Sequence, residues 1–109
     1  MNRDEIPPGT LYLLILKTLA RHGELHGYEI ANSIQSTSDG VLQVEEGSLY
    51  PALQRMLIKG WVRAEWGVTA GNRRARYYKL TTAGRKQLAL EVSQFERVIG
   101  AITRVIQTA

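Results

Sequence analysis

Arg73, Arg74 and Arg76 fall within four consecutive positions, in the stretch "GNRRARYY". A guanidinium is a planar fork that donates paired hydrogen bonds to phosphate and stacks on flat rings. A second polar set lies upstream in "GSLYPALQRMLIKGW": Ser48, Tyr50, Gln54, Arg55 and Lys59. Hydroxyl, amide and cationic groups of this kind reach phosphate oxygens and base edges. The chemistry they offer together is recognition of a polyanion, with no bond-breaking group among them.

Other chemistries are poorly served. His22 and His26 are four apart, a spacing that can hold a metal on one helix face. Gly23 interrupts that helix, and no carboxylate or cysteine completes a ligand set. No metal site is therefore expected. The chain has no cysteine, which excludes disulfides, thiolate zinc sites and a cysteine nucleophile. It has no glycine-rich phosphate loop and no serine in a nucleophile elbow. Neither an enzyme nor a cofactor is expected.

Charge follows the polar residues. Residues 1–44 carry three basic and five acidic groups, and residues 88–109 carry two of each. Residues 45–87 carry nine basic and three acidic groups. The positive charge thus sits in one central segment, the footprint that a polyanion partner calls for. A solvated basic face is the plainer alternative.

The elements that must position these residues are legible from pattern. At 109 residues and 44% hydrophobic content, the chain fits one folded domain. No apolar run approaches the roughly 18 residues of a membrane span. The start lacks a signal-peptide layout, so a cytoplasmic location is expected. "IPPG" at 6–9 punctuates the start and leaves a tail over about residues 1–8 expected to be disordered.

A first helix follows from Thr10, a capping candidate, to Gly23. Its leucines and Ile15 point in nearly every direction, so a partner subunit is expected to cover part of it, with Leu11 and Leu14 among the contacts. "HGYEIANSIQSTS" reads as a second helix with Tyr28, Ile30, Ala31 and Ile34 inward. "VLQV" at 41–44 is long enough for a short strand.

The third helix is expected over 48–59, with Ser48 as N-cap and Pro51 at the third helical position, where its missing N–H does little harm. Leu49, Ala52, Leu53, Met56 and Leu57 form its inner side. Pro51, Gln54, Arg55 and Ile58 face out, and Tyr50 stands at the margin. "WVRAEWGV" and "RRARYYKL" then form a hairpin across "TAGN". Alternation turns Tyr78 and Leu80 inward and Tyr77 outward.

The last element holds Leu88, Val92, Phe95, Ile99, Ile102 and Ile106 at intervals of 4, 3, 4, 3 and 4. That is a heptad seam, about 27 Å long at helical rise, expected to pair with a second copy. The fold class is mainly α with a small β-hairpin: a winged helix-turn-helix over 1–80 and a dimerisation helix over 81–109. Its third helix and wing suit double-stranded DNA. A winged-helix protein-interaction module using the same basic wing is the alternative.

"GSLYPALQRMLIKGWV", "RRARYYKLTTAG" and "HGYEI" together resemble the PadR family of bacterial transcriptional regulators, over roughly residues 9–90. The resemblance implies a winged-helix homodimer that binds an inverted-repeat operator and usually represses. It also implies that the third helix enters the major groove while the wing meets the adjacent backbone or minor groove. Tyr50 and Pro51 match the family's Tyr-Pro pair, and Tyr50 is implied as a phosphate contact. Tyr77 and Tyr78 match the paired wing tyrosines, and Tyr77 is grouped with the DNA-binding candidates. Asn72-Arg73-Arg74-Ala75-Arg76 departs from the Gly-x-Pro-Arg-Lys form of the wing tip, so the principal arginine is not assigned. Some short members hold flat aromatic compounds between subunits, stacked on tryptophan. Here the last helix has only Phe95 as an aromatic, and a small aromatic effector finds no support in the sequence.

Overall fold

A computed structural model describes residues 9–109. The tail expected over 1–8 lies outside the described residues. The elements run α1 (Leu11–His22), β1 (Glu24–His26), α2 (Gly27–Thr37), α3 (Glu46–Ile58), β2 (Val62–Val68), β3 (Arg74–Leu80) and α4 (Thr82–Gln107).

The core is built where three helices meet one sheet face. Ile15, Leu16 and Leu19 of α1, Ile30 and Ile34 of α2, and Leu49, Ala52, Leu53 and Met56 of α3 are buried together. Val62, Tyr78 and Leu80 close the cluster from the sheet. The inner stripe read for α3 is therefore the one that packs. In α2, Ile30 and Ile34 are buried as expected, but Tyr28 is 67% exposed and points away from the core. At about 100° per residue, Tyr28 and Ile30 are too far apart in angle to share a narrow buried stripe.

The sheet differs from expectation. "VLQV" contributes only an isolated bridge residue at Leu42. The third strand is instead β1, which pairs antiparallel with β3 through Glu24↔Lys79, Leu25↔Tyr78 and His26↔Tyr77. The order is β1-β3-β2. Three residues between two helices carry too little pattern to read as a strand. Their pairing comes from β3, which offers a free edge beside them. The hairpin itself is as expected, with Thr69 N–H donating to the Arg73 carbonyl and Asn72 at φ 62° in the turn.

The third helix also starts earlier than expected. Glu45 is the N-cap, and its carbonyl accepts from the Ser48 and Leu49 amides. Ser48 is thus inside the helix and does not cap it. Pro51 is the sixth helical residue and lacks the N–H that would reach Gly47. Both residues are exposed, so the missing bond falls on a face that solvent can reach. In α1, Thr10 stands at the N-cap position without a side-chain bond to the helix amides.

The start of α4 is fixed tightly. Thr81 Oγ1 accepts from Gly84 N–H at 3.0 Å and donates to the Gly60 carbonyl at 2.6 Å. Thr81 N–H donates to the Trp61 carbonyl. The helix then packs on α1 and β3, and from Ser93 onward nearly every residue is exposed. Phe95, Ile99, Ile102 and Ile106 are 40–76% exposed in the single chain.

Candidate nucleic-acid interface

A groove of about 960 Å³ lies between the helices and the wing. One wall is the end of β1 and the start of α2, from His26 to Asn32, together with Tyr50 and Gln54 of α3. The other is the hairpin, with Trp66, Arg73, Arg74, Arg76 and Tyr77. Tyr50 and Gln54 share this wall because they are one helical turn apart.

Tyr50 is seated on α2. A Cβ at Gly27 would stand 2.8 Å from the Tyr50 ring and 2.9 Å from its hydroxyl oxygen. The ring is therefore held at the mouth of the groove, 46% exposed. His26 packs edge-on against Tyr77 with centroids 5.3 Å apart. The Tyr77 ring lies over Gly67, and its hydroxyl donates to the Val68 carbonyl at 3.4 Å. The carboxylate in this wall, Glu29, is engaged locally: it accepts from the His26 amide at 3.1 Å. Tyr78, directly behind, is buried, and that burial pushes its hydroxyl above the ordinary tyrosine range. Arg76 opposes this shift, and Tyr50 adds to it.

Not every residue expected at the interface reaches the groove. Arg55 points toward α1, where its Nε donates to the Tyr12 hydroxyl at 2.6 Å. Lys59 caps the end of α3 and lies 5.1 Å from the Trp61 ring. Ser48 and Pro51 are exposed on α3 but do not line the groove. Tyr50, Gln54, Arg73, Arg74, Arg76 and Tyr77 are the ones brought together.

The structure adds residues that the sequence did not single out for this site: His26 at the end of β1, Gly27, Tyr28 and Asn32 from α2, and Trp66 from β2. Hairpin register could have found Trp66, since it pairs with Arg76. The "HGYEI" motif marks His26, Gly27 and Tyr28 but says nothing of a groove, because these residues join the site only through the packing of α2 beside the wing.

The family described as "Transcriptional regulator PadR-like family" matches residues 15–90. The chain belongs to that family. Its members are transcriptional regulators, not enzymes. A PadR-family transcription regulator from Clostridium difficile is 26% identical, with a TM-score of 0.76 over 90% of this chain and 99% of that one. A transcriptional regulator from Clostridium thermocellum gives a TM-score of 0.82 at 26% identity, over 91% and 95% of the two chains. Bacillus subtilis PadR, solved in complex with operator DNA, is 25% identical with a TM-score of 0.65. That match covers 76% of this PadR-like chain and 46% of the longer protein. No described helix is long and apolar enough to cross a membrane.

Proposed function

We propose that this PadR-like chain is a cytoplasmic, sequence-specific DNA-binding repressor that acts as a homodimer on an inverted-repeat operator. The observation that carries this reading is the groove, with Tyr50 and Gln54 on one wall and Arg73, Arg74 and Arg76 on the other. A helix lying in the major groove would set Gln54 against base edges, while the wing arginines meet the flanking phosphates. Tyr50, held on Gly27, would donate to a phosphate at the groove mouth. The Bacillus subtilis relative with bound operator supports the choice of partner. In this reading residues 1–80 form the reading head, and residues 81–109 join two such heads. Half-sites would then lie about 34 Å apart, or a multiple of that.

Titration of a labelled mixed-sequence duplex into the protein at low salt tests the partner. Binding that weakens steeply with salt is expected. Arg74→Ala should lower the slope of log K against log salt by about 0.9 for one lost phosphate contact. An unchanged slope removes Arg74 from the interface. Absence of any duplex binding would favour a protein-interaction module instead.

A further inference from the structure

One face of the hairpin runs without interruption from the core to the wing tip. Val62 pairs with Leu80 and Ala64 with Tyr78, then Trp66 with Arg76 and Val68 with Arg74. The first two pairs are covered by the core, whereas Trp66 is 59% exposed. A large ring left in solvent at this point gains little from burial. Its contacts are with cations. The Arg74 guanidinium lies 4.3 Å from the Trp66 ring centroid, and that of Arg76 lies 5.7 Å away. Arg76 is also 6.0 Å from the Tyr78 ring. Its Nε is buried with no hydrogen-bond partner. No salt bridge among the described residues engages either arginine, so ring contacts are what orient the two head groups.

We infer that Trp66 is a positioning residue that holds Arg74 and Arg76 as a preformed pair of cations for a phosphate backbone. The inference rests on the duplex-binding reading and deepens it, because it ranks the wing arginines. An arginine free in solvent must give up its rotamer freedom when it binds, at a cost of roughly 0.5–1.5 kcal/mol per side chain. Arginines already laid on an indole face have given up much of it beforehand. Indole is the strongest of the aromatic faces for a cation. Arg73 sits in the turn, where its amide donates to Thr69 Oγ1 and its carbonyl accepts from the Thr69 amide. Its head group has no ring beneath it among the described residues. Arg74 and Arg76 are therefore the principal wing contacts, and Arg73 is secondary.

The test is a set of affinities for a labelled mixed-sequence duplex at low salt. It compares the parent chain with Trp66→Leu, Trp66→Phe, the double variant Arg74→Ala/Arg76→Ala, and the double variant carrying each Trp66 change. Trp66→Leu keeps an apolar side chain but removes the ring face, and should weaken binding roughly five- to tenfold. Trp66→Phe, a weaker face, should lose about two- to threefold. In the background without Arg74 and Arg76, neither change should matter, because the ring acts only through those arginines. An equal loss in both backgrounds would show an independent role for the ring and overturn the inference. So would Trp66→Leu binding as tightly as the parent chain, or more tightly. If Trp66→Leu loses its circular dichroism spectrum, Trp66→Phe in the two backgrounds decides the matter alone. If the parent chain itself ignores duplexes, the duplex-binding reading fails first, a result distinct from a parent that binds and is indifferent to Trp66.

Discussion

A single missing side chain makes room for Tyr50. The ring occupies the space a Cβ at Gly27 would fill, 2.8 Å away at its nearest approach. Gly27→Ala should push the ring out of its seat while leaving helical content intact. Duplex affinity is then expected to fall about tenfold, read by anisotropy, with circular dichroism unchanged. Tyr78 behaves differently because it is buried. Its hydroxyl ionises less readily in the fold than at the ordinary value of 10.0, first because burial penalises the anion. A raised value in the fold means that the folded state holds the proton longer than the unfolded chain. The stabilisation is therefore complete below about pH 10 and declines as pH rises above it. Urea unfolding between about pH 8 and pH 11 should show a steeper alkaline loss for the parent chain than for Tyr78→Phe.

Among the elements, α3 and α4 show how a boundary is set. Two good starts were open to α3, one at Ser48 and one at Glu45. The earlier start wins because the Glu45 carbonyl takes two amides and adds a turn, at the cost of one hydrogen bond missing at Pro51. Carboxylates at the positive end of the helix favour the same choice. The start of α4 is fixed from outside, by Thr81 binding the Gly60 carbonyl just past α3 and by Gly84 lying against the Trp61 carbonyl. A methyl group at Gly84 would collide with that backbone oxygen, which cannot rotate away as a side chain could. Gly84→Ala should cost about 2–3 kcal/mol and lower the melting temperature by roughly 10 °C. Thermal unfolding followed by circular dichroism measures this directly.

For the molecule as a whole, the far half of α4 stands uncovered in the single chain. Its heptad residues keep their spacing after the helix has left the body of the chain. Ile102 is 48% exposed and Ile106 76% exposed. Val98 and Val105, on the flank of the same seam, are 47% and 75% exposed. A stripe of this length on a protruding helix is a recurrent sign of association. Sedimentation at micromolar concentration is expected to give twice the 12.2 kDa chain mass. Ile99→Glu combined with Ile102→Glu should return a single chain, since a charge in an apolar seam is costly without a partner. A parent chain that sediments as a monomer would remove the dimer from the proposal.

Periodicity and punctuation determined most of the secondary structure, because burial follows from where apolar groups recur along a helix or strand. Thus the inner face of α3, the hairpin, the inward turn of Tyr78 and the length of α4 could be read from residues alone. Sequence motifs also carried the family resemblance. Tertiary structure decided what depends on neighbours distant in the chain. It recruited Glu24–His26 to the sheet through a free edge and drew Arg55 away to Tyr12. It also brought the start of α2 opposite the wing and set Trp66 beneath two arginines. Local pattern reports which side of an element is apolar. Which polar groups face one another across a groove depends on how the elements pack, and that is a property of the whole core.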